Sequence, residues 1–201
     1  PGGCRRRTGR DDAWGDHPAV RETLREASAA LGEDVAKLIR EGPAEALGLT
    51  TNTQPVMLTA GIACYRAWLA ETGLAPAVVA GHSLGEYTAL VAAGALTLAD
   101  ALPLVRFRAQ AMQDAVPVGE GAMAAILGID AQAVRDGCEA VSVSSGEVVE
   151  AVNFNDPKQT VIAGSKAGVE QAIVALKAAG AKRALMLPVS APFHSSLMKP
   201  A

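Results

Sequence analysis

The sequence predicts an α/β protein, and three observations support this prediction. Half of the 201 residues are hydrophobic, while aromatic residues make up only 3%, a composition that suits helices packed closely on a parallel sheet. Short apolar runs rich in branched residues alternate with longer segments of helical periodicity. One Gly-x-Ser-x-Gly pentapeptide, GHSLG, lies where such a run ends and a helical segment begins. Together these features indicate one α/β domain with room for a small subdomain.

Helices are predicted for the first third of the chain. The spacing of apolar residues predicts helices over 18–31, over Asp34–Arg40 and from Thr53 to about Glu71. Pro55 then stands at the start of the third helix, where the missing N–H of proline leaves no hydrogen bond unmade. Cys64 falls within the apolar pattern of the same helix and is expected to be a small core residue.

The pentapeptide at 81–85 carries a candidate nucleophile. The run Ala77–Ala80 has the length and composition of a buried strand, and a dense apolar helix follows from Leu84 to near Gly94. The order strand, Gly-x-Ser-x-Gly, helix is typical of a nucleophile elbow, a strained turn that exposes the serine hydroxyl beside the free N–H groups of a helix start. Ser83 is therefore a candidate nucleophile, although the pentapeptide alone also arises by chance.

The pattern of the chain changes after Pro117. Before it, Thr97 and Asp100 resemble a capping box that begins a helix to about Ala115. After it, strands and helices follow in the order βαββαβ, which is the order of a ferredoxin-like unit. The predicted strands are Ala122–Leu127, 148–154, Lys158–Ala163 and Ala184–Val189, and the predicted helices are 130–140 and 166–179.

The predicted domain organisation has four parts. Residues 1–17 form an atypical N-terminal tail, 18–117 an α/β core with the elbow, 118–189 the ferredoxin-like subdomain and 190–201 a return to the core. The return is expected because the last segment follows the final predicted strand with new, non-repeating sequence.

A histidine is the expected partner of the serine, because a hydroxyl needs a base to remove its proton near neutral pH. The chain has three histidines. His17 lies at a helix entry and is expected to be exposed or to cap the helix, whereas His82 adjoins Ser83 and is expected to support the turn. His194 remains the candidate base, although a loop histidine is more often structural. Asp156 has the chain order of a hydrolase triad acid but falls in a predicted hairpin, so a Ser–His pair without a carboxylate is favoured.

Charge and cysteine content exclude several function classes. The formal net charge of −3 gives no case for nucleic-acid binding, and the basic cluster Arg5–Arg7 is interpreted as part of a solvated tail. Cys4, Cys64 and Cys138 are widely separated, without the spacing of a metal site. No nucleotide motif is present either, so neither a metal nor a cofactor is expected. No apolar run is long enough to span a bilayer and no signal region is visible, so a cytoplasmic location is expected.

Several separate stretches resemble the malonyl-CoA:acyl carrier protein transacylases, the enzymes that supply malonyl groups to fatty acid synthesis. The resemblance runs from about Pro18 to Ala201 in the order and spacing of the family, and includes AGHSLGEYTALVAAGAL, VNFNDPKQTVIAG and LPVSAPFHSSLMKPA. It implies an α/β-hydrolase-like core with an inserted ferredoxin-like subdomain. It also implies a monomer that takes malonyl-CoA as acyl donor and acyl carrier protein as acceptor, with the CoA thioester as a substrate.

The resemblance further implies roles for individual residues. Ser83 is acylated, His194 is its general base and later its acid, and the Leu84 N–H is one oxyanion donor. Arg108 matches the arginine that holds the malonyl carboxylate. Without the resemblance, a salt bridge on the helix surface is the simpler interpretation of Arg108.

Three other positions match the family, and two regions depart from it. Gln54 and Asn153 match polar positions that line the active site, and Phe193 resembles malonyl-selecting members. The family begins with a strand that runs into Pro-Gly-Gln-Gly-Ser-Gln, whose first glutamine helps form the oxyanion hole, and it continues past LMKPA. This chain begins PGGC and ends at LMKPA, so it is expected to be a piece truncated at both ends. The expected alternatives to a transferase are a serine esterase or thioesterase and an inactive fragment that keeps only the carrier-protein surface.

Overall fold

The computed structural model describes residues 16–201, and the predictions for Cys4 and for Arg5–Arg7 lie outside this range. The chain divides into two compact units, of which the first ends at Ala109 and the second runs from Gln110 to Ala201. Each unit has its own buried apolar core.

The first unit is helical in its described part. Its helices surround one apolar cluster in which Leu58, Ile62, Leu98 and Leu102 are almost completely buried. The prediction of a helix over 18–31 is confirmed. The helices are α1 (Pro18–Leu31), α2 (Val35–Glu41), α3 (Ala44–Gly48), α4 (Thr50–Thr72), α5 (Leu84–Ala92) and α6 (Leu98–Ala115), the last of which continues into the second unit.

Helix α4 begins earlier than predicted. The Leu49 carbonyl accepts a hydrogen bond from the Thr53 N–H at 2.7 Å, and the helix therefore starts at Thr50. Pro55 lies inside the helix and not at its first position. Cys64 on the same helix is exposed, so the prediction of a core residue is wrong, because the buried stripe of α4 runs through other positions.

No strand forms over Ala77–Ala80, and this prediction is wrong. The segment between α4 and α5 is irregular chain, and Val78 is 83% exposed. A strand requires backbone hydrogen bonds with a neighbouring strand. Residues 16–109 contain helices but no strand, so the apolar run has no partner within them.

The second unit is built around a four-stranded antiparallel sheet. The strands lie side by side in the order β2-β3-β1-β4, with one helix between β1 and β2 and another between β3 and β4. The predicted order βαββαβ is therefore confirmed. The elements are β1 (Gly121–Leu127), α7 (Ala131–Ser145), β2 (Val149–Asp156), β3 (Gln159–Ser165), α8 (Lys166–Ala178) and β4 (Arg183–Met186).

The sheet separates two apolar layers. On one face, sheet residues such as Ile126 and Ile162 pack with Cys138 of α7 and Leu176 of α8. The other face carries a smaller group, called here the loop-side cluster. It consists of Met123, Val152, Val161, Ala163, Leu187, Val189 and Phe193.

Strand β4 is shorter than predicted and ends at Met186 instead of Val189. The Leu187 N–H still donates to the Met123 carbonyl at 2.9 Å. The next residue is Pro188, which has no N–H to donate to the ladder, so pairing stops there. The chain beyond it is free to form the loop that carries His194.

In residues 16–201, no helix combines the length and the apolar character that a bilayer-spanning helix needs.

Candidate active site

Ser83 lies in a strained turn directly before α5. Its backbone has φ 54° and ψ −113°, a region that glycine adopts easily and other residues rarely do. Among residues 16–201, the non-glycine residues with positive φ are Ser83 and His194. Such strain persists only where the surrounding structure enforces it, and it concentrates at functional sites.

The glycine at position 81 allows the Ser83 turn to close. The backbone of Gly85 occupies the space that a Cβ on Gly81 would need. Hydrogen bonds run from the Gly85 N–H to the His82 carbonyl (2.9 Å) and from the Glu86 N–H to the Ser83 carbonyl (3.2 Å). His82 thus stabilises the turn through its backbone carbonyl.

The N-terminus of α5 offers hydrogen-bond donors beside Ser83. Leu84 is the first residue of the helix, and the N–H groups of a first turn have no acceptor four residues earlier in their own helix. The positive end of the helix dipole also favours negative charge at this point. The Leu84 N–H is therefore suited to stabilise an oxyanion on a group attached to Ser83.

Arg108 connects Ser83 to a buried polar side chain of α4. Its Nη2 donates a hydrogen bond to Ser83 Oγ at 3.1 Å, and its Nη1 donates to Gln54 Oε1. Gln54 is 6% exposed, and its Nε2 donates to Thr50 Oγ1 at 2.9 Å. Gln54, Ser83 and Arg108 were each predicted as site residues, and the first unit brings the three side chains into one hydrogen-bonded row.

Tyr87 also borders Arg108 and was missed by the sequence reasoning. The Cζ atom of Arg108 lies 5.7 Å from the centroid of the Tyr87 ring, which is within the range of a cation–π interaction. Tyr87 follows Ser83 by four residues, and this spacing places two residues on one face of a helix. The spacing was a usable signal.

The hydrogen bonds of Arg108 leave its charge available to a ligand. Both acceptors, Gln54 Oε1 and Ser83 Oγ, are uncharged, and the arginine is partly buried. These contacts differ from those of a surface salt bridge. A guanidinium can bind a carboxylate through two parallel, charge-assisted hydrogen bonds, so the position suits an acyl group that ends in a carboxylate.

His194 lies in the second unit, on the loop between β4 and a short 3₁₀ helix, Ser196–Met198. It has φ 68° and is exposed. The N–H and Oγ of Ser195 both donate to the Pro192 carbonyl, at 3.3 and 2.7 Å. Pro192 packs on the backbone of Gly121, where a Cβ would lie 2.3 Å from Pro192 Cδ. Pro192 thus anchors the loop before the exposed histidine, and the Ser195 hydrogen bonds close the chain around it.

Asn153 shares a sheet face with the residue that precedes His194. In β2, Val152 is an extra residue, because Asn153 pairs with Val161 immediately after the preceding pair of the ladder. Opposed residues of antiparallel strands point to the same face. Val161 belongs to the loop-side cluster, as does Phe193. The bulge therefore directs Asn153 to the face on which Phe193 packs.

Two other candidate residues have structural contacts. His17 caps α1, since its Nδ1 accepts from the Ala19 N–H at 3.2 Å, as predicted. Asp156 lies at the β2–β3 turn, where its Oδ1 accepts from the Lys158 N–H at 2.9 Å. Among residues 16–201, no three His, Cys, Asp or Glu side chains form a group that could hold a metal ion.

Comparison with known proteins places these features in a family. The family model described as the acyl transferase domain matches residues 14–201. The malonyl CoA-acyl carrier protein transacylase of Escherichia coli (strain K12) is 56% identical over 190 residues, which cover 94% of this chain and 61% of that protein. The protein of the same name from Bacillus subtilis (strain 168) is 51% identical over 184 residues, with coverage of 92% and 57%. The chain therefore spans 61% or less of the length of these two relatives.

Solved structures give the same result. The acyl-carrier-protein S-malonyltransferase from Burkholderia pseudomallei 1710b matches with a TM-score of 0.91 and 66% identity, over 96% of this chain and 62% of that one. A malonyl-transacylase solved in complex with a type II PKS acyl-carrier protein matches with a TM-score of 0.87 and 50% identity, over 91% and 59%. These likenesses confirm an α/β fold. Because the family model matches almost the whole sequence, the chain belongs to the family of acyl transferase domains.

Proposed function

We propose that this chain carries the acyl-transfer site of a malonyl-CoA:acyl carrier protein transacylase, an enzyme of fatty acid biosynthesis. The observation that carries the proposal is the hydrogen bond of 3.1 Å between Arg108 Nη2 and Ser83 Oγ. It puts a cation with uncharged partners beside the atom to which an acyl group is attached. The names of the relatives in E. coli and B. subtilis support malonyl as the acyl group and acyl carrier protein as the acceptor.

In the first half-reaction, Ser83 Oγ attacks the thioester carbonyl of malonyl-CoA while His194 takes the hydroxyl proton. The carbonyl oxygen becomes an oxyanion and accepts a hydrogen bond from the Leu84 N–H. The C–S bond then breaks, the malonyl group remains as an ester of Ser83, and His194 gives its proton to the CoA thiolate. Removal of one oxyanion donor from such a site typically lowers the rate by about 10²–10³.

In the second half-reaction, the phosphopantetheine thiol of acyl carrier protein attacks the Ser83 ester. His194 takes the thiol proton and returns it to Ser83 Oγ as the ester bond breaks. No water is consumed, and one thioester is exchanged for another. Throughout both steps Arg108 holds the malonyl carboxylate, Gln54 orients Arg108, and Asn153 lines the site as a polar group.

We propose an α/β-hydrolase-like core into which a ferredoxin-like subdomain is inserted, with boundaries near residues 117 and 189. The antiparallel order β2-β3-β1-β4 and the element order βαββαβ support the subdomain. A monomeric state and a cytoplasmic location remain predictions from the sequence.

Intact-mass analysis after incubation with malonyl-CoA tests the proposal. We expect one malonyl adduct per chain, located on Ser83 by peptide mapping, and its discharge when the phosphopantetheine form of acyl carrier protein is added. The Ser83→Ala variant is the matched control and should form no adduct.

Two outcomes would decide for the alternatives. An adduct that hydrolyses rapidly to free malonate, without acyl carrier protein, indicates a serine esterase or thioesterase. A folded chain that forms no adduct at all indicates an inactive fragment with at most a carrier-protein surface.

A further inference from the structure

The loop that carries His194 is held by a carboxylate from another part of the second unit. Glu150 Oε2 accepts a hydrogen bond from the Ser196 N–H at 2.5 Å. The two residues are separated by 46 positions in the chain. Ser196 follows His194 by two residues, so this contact lies directly beside the exposed histidine.

The Ser196 N–H has a specific need for this acceptor. It is the first N–H of the 3₁₀ helix, whose N-cap residue Ser195 makes no side-chain cap hydrogen bond. The hydroxyl of Ser195 is instead bound to the Pro192 carbonyl. The Glu150 carboxylate therefore caps the 3₁₀ helix in place of Ser195. Its hydrogen bond is charge-assisted, and such bonds have about twice the strength of neutral ones.

The position of Glu150 in the sheet explains how it reaches the loop. Glu150 pairs with Ala163 in the β2–β3 ladder, and opposed residues point to the same face. Ala163 belongs to the loop-side cluster together with Phe193. One face of β2 and β3 thus supports the loop at two points, Phe193 before the histidine and Ser196 after it.

The backbone conformation of His194 needs support from the residues around it. His194 has φ 68°, and a non-glycine residue keeps such a conformation only where the surrounding structure enforces it. A loop held at one end only can relax that backbone and rotate the imidazole. Contacts on both sides of His194 prevent this relaxation.

We propose that Glu150 is a positioning residue for His194, which holds the imidazole in its working orientation by anchoring the Ser196 N–H. The inference rests on the proposed role of His194 as the general base. Glu150 itself touches no substrate in this scheme, and it acts through the backbone of the loop.

Three variants test the inference. Glu150→Ala removes the acceptor, and Glu150→Gln keeps a neutral oxygen in its place. Glu147→Ala is the matched control. Glu147 Oε2 accepts a hydrogen bond of the same length, 2.5 Å, from Ser165 Oγ at the end of β3, and this bond does not involve the His194 loop. Single-turnover acylation of Ser83 at saturating malonyl-CoA and amide hydrogen exchange at Ser196 are measured for each.

We expect Glu150→Ala to slow acylation by about 10- to 100-fold, since small misplacements of a catalytic group have effects of this size, with little change in the half-saturating malonyl-CoA concentration. Glu150→Gln should restore most of the rate, within about fivefold of the original. Exchange at Ser196 should accelerate in Glu150→Ala and stay unchanged in Glu147→Ala.

Equal slowing in Glu150→Ala and Glu147→Ala, or unchanged exchange at Ser196 in Glu150→Ala, would overturn the positioning role. If the original chain forms no adduct, the proposed function fails. In that case faster exchange at Ser196 in Glu150→Ala alone still supports the anchoring of the loop.

Discussion

A Cβ placed on Gly81 lies 1.9 Å from both the carbonyl carbon and the carbonyl oxygen of Gly85. Backbone atoms cannot move aside as the end of a flexible side chain can, so Gly81→Ala must displace the turn that carries Ser83. We expect this variant to lower the free energy of unfolding by about 1–3 kcal/mol and to abolish the malonyl adduct. Urea denaturation and intact mass measure the two effects.

Gly85→Ala is the control for this prediction. Nothing lies within 4 Å of a Cβ on Gly85, and alanine is favoured over glycine in a helix by about 0.5–1 kcal/mol. The stability of this variant should therefore be retained or increased. A comparable loss in both variants would show that the Gly81 contact has no special role.

We expect the strained backbone of Ser83 to lower the stability of the folded chain, although the proposed reaction needs a serine at this position. Ser83→Ala and Ser83→Gly should both lack the malonyl adduct. The glycine variant should be more stable than the alanine variant by about 1 kcal/mol. Glycine relieves strain of about 1–3 kcal/mol and loses about 0.5–1 kcal/mol through the entropy of the unfolded chain. Ser144, an exposed residue within α7, is the control, and there the alanine variant should be more stable than the glycine variant. If glycine were the more stable variant at both positions, the strain at Ser83 would be contradicted.

The uncharged hydrogen-bond partners of Arg108 predict a change in acyl preference. Loss of one partner of a desolvated charge pair costs about 2–5 kcal/mol, so Arg108→Ala should lower kcat/KM for malonyl-CoA by about 30-fold to several thousand-fold. An acetyl group has no carboxylate that could be left without a partner, so kcat/KM for acetyl-CoA should change little. The measurement is kcat/KM for malonyl-CoA and acetyl-CoA in the original chain and the variant.

Arg106, on the same helix, is the control for the acyl preference. Its Nη2 donates to Glu33 Oε1, an ion pair that does not involve Ser83. Arg106→Ala should reduce stability without changing the ratio of malonyl to acetyl transfer. An equal fall for both thioesters in Arg108→Ala would assign Arg108 a structural role.

The buried thiol of Cys138 should make the protein less stable in alkaline solution. Burial, and to a smaller extent the charge of Glu150, raises the pKa of the thiol from 9.0 to about 12. Between these values the unfolded chain has released the proton and the folded chain retains it. The unfolded state then binds fewer protons, so the free energy of unfolding falls as pH rises from about 9 to 12.

Urea denaturation at a series of pH values checks this prediction. Cys138→Ala should be less stable near neutral pH, because it leaves a small cavity, but its stability should fall less steeply above pH 9. Parallel slopes for the variant and the original chain would contradict the raised pKa.

Local features of the sequence predicted much of the fold and part of the site. The Ser83 turn is indicated by the Gly-x-Ser-x-Gly pattern, and the start of α6 follows from Thr97, whose Oγ1 accepts from the Asp100 N–H at 3.1 Å. Both depend on residues within one turn. Pro188 is also a local signal, because proline cannot donate to the ladder and β4 ends shortly before it.

Features that depend on distant residues could not be predicted in the same way. The strand expected at Ala77–Ala80 fails because pairing depends on a neighbour that a local pattern does not reveal. The contact of Glu150 with Ser196 joins residues that only the folded sheet brings together. Gln54 and Arg108 were predicted from resemblance, since nothing in their spacing indicates that their side chains meet.

The extra residue in β2 has a consequence for tolerated changes in chain length. Deletion of Val152 would leave Ala151 opposite Ile162 and Asn153 opposite Val161, now as successive pairs of a regular ladder. Strands β1 and β3, in contrast, pair from Gly121↔Ser165 to Leu127↔Gln159 without a shift, so one deletion there would turn all later side chains to the opposite face. Among natural variants of this domain, insertions and deletions should therefore be found mainly at the β2 bulges and rarely within β1 and β3.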